Sequence, residues 1–235
     1  ERFTMRQPHF PQRQSGFTLI EIAIVLVIIG LLLGGILKGQ ELINSARVKN
    51  LATDFRNIPA FIYGYQDKFK ALPGDDKNVA TNLTNSNLAT TPAGTQGNGV
   101  INGTWFSTTN TDESYLFWQH VRLAGLAPGV TDRTAADYLP KNASGGVIGI
   151  QSGTTNAANS PIQAGGVAIP GAYIICSTSI LGKFVKQLDL QVDDGNTATG
   201  SMMATPTTNP GALNAVATPT ANIDDAASYT VCMGV

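Results

Sequence analysis

The chain has 235 residues, 15 Lys and Arg against 16 Asp and Glu, a formal net charge of -1 and only 13% charged residues. That balance argues against a nucleic-acid binder with a broad basic surface. Two cysteines and two histidines exclude a disulfide-rich scaffold and a cysteine-based zinc site.

The leader, residues 1–16, carries Arg2, Arg6 and Arg13 against the single acid Glu1. It runs directly into Phe17 to Leu37, FTLIEIAIVLVIIGLLLGGIL, where Glu21 is the one charge. This run is long enough to cross a bilayer core, which takes about 20 residues at a rise of about 1.5 Å each. Positive charge ahead of a span favours the cytoplasmic side, so the N-terminus is expected inside and the remainder exported. A secretory signal has a shorter apolar region followed by a small-residue cleavage site. Here the small residues, Ser15-Gly16, precede the apolar run.

The string Gly16-Phe17-Thr18-Leu19-Ile20-Glu21 resembles the processing site of type IV prepilins and type II secretion pseudopilins. The resemblance implies cleavage between Gly16 and Phe17 by a membrane aspartyl peptidase, N-methylation of Phe17, and assembly of the mature chain into a filament. Met5 could then be the true start. A carboxylate near the bilayer core is costly unless paired, and such groups are usually functional. The resemblance gives Glu21 a partner, the Phe17 amine of a neighbouring subunit. The bland reading is a neutral Glu tolerated near the interface.

The helical pattern continues past the span. Val48, Leu51, Phe55, Ile58, Ile62, Tyr65 and Phe69 recur at three and four residues, an apolar stripe on a polar helix. One helix over 17–71 is expected, roughly 80 Å long, with Pro59 as a kink. Gly30, Gly34, Gly35 and Gly39 either lower its helix propensity or permit close helix approach. Many pilins carry Pro where this chain has Lys38-Gly39.

Residues 72–235 are expected to form the head. Leu72-Pro73-Gly74-Asp75-Asp76 should end the helix, and residues 78–110 read as a long Thr-, Asn- and Gly-rich loop of the functional or mobile kind. Asn110 with Glu113 predicts a capped helix start, and Leu116, Phe117, His120, Val121, Leu123 and Ala124 continue it at helical spacing. A lone His there is read as packed or hydrogen-bonded. Residues 146–150, 167–176 and 229–233 read as strands, with Pro170-Gly171 breaking the second. Ile180, Phe184, Leu188 and Val192 favour a helix, with Gly195 as its stop. The fold class expected is α+β and pilin-like: a long N-terminal helix, transmembrane in 17–37, packed on a small antiparallel sheet.

Cys176 and Cys232 are either two buried thiols or a disulfide; an exported head favours the disulfide. Pilin-like heads often close this region with such a bridge. It would span a loop of about 57 residues and stabilise by roughly 4 kcal/mol in the chain-entropy model.

No P-loop, H-E-x-x-H, G-x-S-x-G or Cys-x-x-Cys is present, and no cofactor is expected. Adjacent carboxylates occur at Asp75-Asp76, Asp193-Asp194 and Asp224-Asp225. Asp193, Asp194 and Asn196, with Thr197, form a compact oxygen set that could take calcium, although the EF-hand spacing is missing and a solvated turn is the simpler reading.

The sequence thus points to a structural, non-enzymatic subunit of a type IV pilus or pseudopilus, anchored by a single pass in the inner membrane with its head periplasmic or extracellular. Its implied partners are other pilin or pseudopilin subunits, the prepilin peptidase and the assembly platform. Without the leader the chain keeps 12 cations and 15 acids, which disfavours nucleic-acid capture. The alternative is a signal-anchored periplasmic enzyme or binding domain that does not polymerise.

Overall fold

A computed structural model describes residues 16–235; the basic leader before Gly16 lies outside the described residues. The chain divides into two compact units between Ile43 and Asn44. Helix α1, Leu19–Phe69, runs without interruption through Pro59. It ends ahead of Pro73-Gly74: Lys70 adopts φ 55°, and its N–H still bonds the Gln66 carbonyl at 2.8 Å. A left-handed residue at that point closes the last turn and turns the chain away.

In the second unit the predicted stripe is the buried face of α1. Val48, Leu51, Phe55, Ile58, Ile62 and Tyr65 are buried, and Phe69 lies at the margin. The short helix α2, Val79–Asn82, follows. Helix α3, Glu113–Leu123, is buried on all sides from Glu113 to Arg122. A helix enclosed this way must satisfy its polar groups with protein partners. The Arg122 guanidinium does so by donating to the carbonyls of Pro128, Val130 and Tyr138.

The remaining elements are β1 (Ile148–Ser152), β2 (Ile162–Ala164), β3 (Val167–Ala168), β4 (Tyr173–Leu181), α4 (Gly182–Val192), β5 (Met202–Pro206), β6 (Ala215–Val216) and β7 (Ser228–Gly234). Four strands form an antiparallel sheet in the order β1-β4-β7-β5. A second sheet, β3-β2-β6, pairs β2 with β3 antiparallel and with β6 parallel.

Alternation along the strands gives the main sheet two buried faces. Ile148, Ile150, Ile175, Met202, Ala204, Val231 and Met233 join Leu51, Phe55 and Ile58 of α1, Phe117 of α3 and Phe184 of α4 in one core. Ile174, Cys176, Met203 and Cys232 face the other way and pack with Trp105, Ile162 and Ile169. A register shift between Ser177 and Ile180, with Ser179 at φ 60°, inserts an extra residue into β4. The bulge returns Ile180 to the face of Ile175 despite the change of parity. Gly149 lets the Trp105 segment cross β1: a Cβ there would sit 1.8 Å from the Trp105 carbonyl oxygen.

Several sequence expectations shift. Ile180 belongs to β4 rather than α4, and the Pro170-Gly171 break separates two strands, β3 and β4. The predicted cap at Asn110 is not formed. Asp112 occupies the N-cap position without a side-chain cap, and its carboxylate instead accepts from Thr91 Oγ1 and Ser107 Oγ. The Glu113 carboxylate turns away from the helix to Asn102 and Thr95.

Candidate functional site

The N-terminal segment presents its chemistry at the start of α1. Gly16 and Phe17 precede the helix and are exposed, Phe17 by 85%. Thr18 and Glu21 close a reciprocal cap. Glu21 Oε2 accepts from the Thr18 N–H at 2.8 Å and from Thr18 Oγ1 at 2.7 Å, while Thr18 Oγ1 accepts from the Glu21 N–H at 3.3 Å. This T-x-x-E box satisfies donors that the first helical turn leaves unpaired. The T-x-x-E spacing is legible in the sequence, but the apolar run around it makes Glu21 read as an isolated charge rather than as the partner of Thr18. Beyond the cap, large apolar side chains from Leu19 to Ile43 stand exposed, Leu19 by 89%. Helix α1 is long and apolar enough to cross a membrane.

In the head, four acids fasten the segment between α1 and α3. Asp75 accepts from the backbone N–H groups of Gly97, Asn98 and Gly99. Asp76 accepts from Tyr65 Oη at 2.9 Å, Asn82 Nδ2 at 2.7 Å and the Asn78 N–H at 2.8 Å. Glu113 accepts from the Asn102 N–H at 2.8 Å, Asn102 Nδ2 at 3.0 Å and Thr95 Oγ1 at 2.8 Å; with Asp112, these acids organise the predicted loop. Burial raises the Glu113 pKa, against the pull of its hydrogen bonds.

His120 is fully buried at the centre of this arrangement. Its Nδ1 accepts from the Gly74 N–H at 2.9 Å, and its Nε2 lies 2.9 Å from the Asn87 carbonyl oxygen. One partner can only donate and the other can only accept, so the ring is neutral with its proton on Nε2. Burial lowers its pKa; the Asn87 contact and the Asp76 charge work the other way. Gly74 makes the contact possible, at φ +91° and with a would-be Cβ 2.3 Å from the Glu113 carbonyl oxygen.

Cys176 and Cys232 face each other in the β4–β7 register and form a disulfide. Asp54, half-buried on α1, is pushed up to about 6 by burial. Asp225 pairs with Lys186 at 2.9 Å.

The carboxylates at the end of α4 differ from the expected oxygen set. Asp193, Asp194 and Asp189 each place a carboxylate oxygen within 4.8 Å of the others. Thr197 is turned elsewhere, donating to the Thr218 carbonyl, and Asn196 Oδ1 accepts from the Ala198 N–H. Asp189 was missed because the i, i+4 apolar pattern of α4 runs through Leu188, which makes its neighbour look like a solvent-facing residue.

Residues 11–37 match the family model described as the prokaryotic N-terminal methylation motif. That is the motif of type IV prepilins and pseudopilins, and together with a long apolar helix leading into an α+β head it defines a pilin-like layout. No curated protein and no solved structure matches the chain.

Proposed function

We propose that the chain is a structural subunit of a type IV pilus or pseudopilus, cleaved between Gly16 and Phe17 and polymerised through α1. The observation that carries this reading is the sequence of features at one helix end. An exposed Gly16-Phe17 junction leads through a capped first turn into apolar surface left uncovered as far as Ile43. Such a surface needs lipid before assembly and other copies of itself afterwards. The basic leader holds the N-terminus in the cytoplasm, and the head with its disulfide lies outside it.

Cleavage creates a free, methylated amine on Phe17. Glu21, one turn into the helix, then offers a carboxylate to the amine of an adjacent subunit and fixes how far the incoming helix slides. The partners are other pilin-type subunits, a prepilin peptidase and an inner-membrane assembly platform. The head serves as structure and surface, not as a catalyst. N-terminal sequencing of the protein recovered from membranes tests the reading. A chain beginning at methylated Phe17 is expected, and an intact leader would instead favour a signal-anchored domain that never polymerises.

A further inference from the structure

We propose that a cleft between α1 and α3 is a socket for a cationic side chain of a second copy of this chain, with Asp54 as the group that receives it. The cleft, about 170 Å³, is walled by Phe61 of α1, Trp118 of α3, Pro128 and Pro140, and Asp54 is the acid in its lining. Asp54 is half-buried there. The ion pairs of the described residues lie elsewhere, at Lys38–Glu41, Lys70–Asp67 and Lys186–Asp225. Burial pushes Asp54 up to about 6, and neither a hydrogen bond nor a neighbouring charge offsets it. A carboxylate drawn out of water without a partner is costly, and the cost is removed by a cation that enters the same space.

The chain does not supply that cation itself. On α1 the positions three and four residues from Asp54 are Asn50, Leu51, Asn57 and Ile58, none of them charged. Two cations also line the cleft, and neither pairs with Asp54. Arg122 is committed to the carbonyls of Pro128, Val130 and Tyr138 and lies over the rings of Trp118 and Tyr138. Lys141 is exposed.

The complementary surface lies on the other side of the same helix. Lys49 and Arg56 are seven residues apart and so share one face of α1. Both are exposed, neither makes an ion pair among the described residues, and no acid stands three or four residues from either. Their face is roughly 140–160° around the helix from Asp54, so the acid of one copy cannot meet its own cations. A second copy can present them. The stem of Lys49 or Arg56 would lie along the apolar walls while its charged head meets the carboxylate. Socket and cation come from different patches of one chain, which makes the contact heterologous. Each added copy leaves a free cleft at one end and a free cationic face at the other, the condition for an open filament. The inference rests on the polymerising reading of α1 and gives it a second contact, independent of Glu21.

The test is zero-length carbodiimide coupling of the full chain in membranes and sheared filaments, with mass spectrometry of the covalent multimers. Wild type and Arg56→Lys, which places an amine at the second position, are treated alike. An amide joining Asp54 of one copy to position 49 or 56 of another is expected. Multimers without that amide, or Asp54 coupled to Lys141 of its own chain, would overturn the socket. Asp54→Asn should lower the subunit in sheared filaments by about tenfold or more. In detergent it should melt no lower than wild type, because it removes an uncompensated charge. Filaments of that variant at wild-type yield would also overturn the proposal. N-terminal sequencing of the same samples separates the two readings. Filaments of chains beginning at Phe17 but lacking the Asp54 amide refute this contact and leave polymerisation standing, whereas uncleaved chains without multimers refute both.

Discussion

His120 makes the stability of the head depend on pH in a predictable direction. The ring is buried with both nitrogens engaged, and protonating Nδ1 would set an N–H against the Gly74 N–H. Its pKa is lowered from the ordinary 6.5, so below that value the unfolded chain takes up a proton that the folded chain refuses. Stability is therefore complete above pH 6.5 and declines as the pH falls, levelling off only at the folded pKa. The ordinary value of 6.5 sets the ceiling: the loss between pH 7 and pH 5 is at most about 2 kcal/mol, reached when the folded ring takes up no proton. Asp54 and Glu113, whose pKa values are raised, have the opposite sign. Their contribution is full at low pH and fades as the pH rises through their folded pKa. Comparison with His120→Gln cancels them, since glutamine keeps one donor and one acceptor but does not titrate. Denaturant unfolding at both pH values should show wild type losing more stability than the variant, by up to about 2 kcal/mol. Parallel profiles for the two proteins would refute the reasoning.

Replacing both Cys176 and Cys232 with Ala should remove about 4 kcal/mol in the chain-entropy model, or roughly 8–16 °C of melting temperature; a melt that ignores both the substitution and added reductant would contradict this. Gly16→Ala should leave precursor accumulating in membranes of a peptidase-proficient strain, read by immunoblot, because a Cβ beside the scissile bond obstructs backbone access. Glu21→Ala removes both the Thr18 cap bonds and the proposed partner of a neighbour's amine. Membrane fractions should hold normal amounts while sheared filament fractions lose the subunit, and breaking a desolvated pair of this kind costs roughly 3–5 kcal/mol. Filaments at wild-type yield would show that Glu21 has no such partner.

What the sequence revealed was what depends on near neighbours. The apolar stripe from Val48 to Tyr65 sits at a fixed spacing on one helix, and the structure buries it as expected. Strands β1 and β7 carry branched apolar residues and were found to within two residues. Strand β5, Met-Met-Ala-Thr-Pro, has little β-branched character and exists because it pairs along β7; β2 and β6 are too short to show any period. The acids of the head were harder still. Asp75 binds amides 22 to 24 residues further along, and Glu113 binds Asn102 behind it. Such pairings leave no local trace, and they explain why Glu113 looked like a helix-capping residue. Asp189 failed for a related reason: its burial depends on how α4 sits against the sheet, which spacing along α4 does not disclose.

Strand β7 is the last of seven among the described residues, yet it lies inside the main sheet, between β4 and β5. Until residues 228–234 arrive, β5 has no partner in that sheet and Cys176 has no cysteine opposite it. The main sheet is therefore not complete until its final strand is in place. Strand β1 can pair β4, and β2 can pair β3 and β6, beforehand; β5 joins the main sheet only through the final strand. A chain stopped before Ser228 would be missing an interior strand, not a frayed end, and should fail to form the four-stranded sheet.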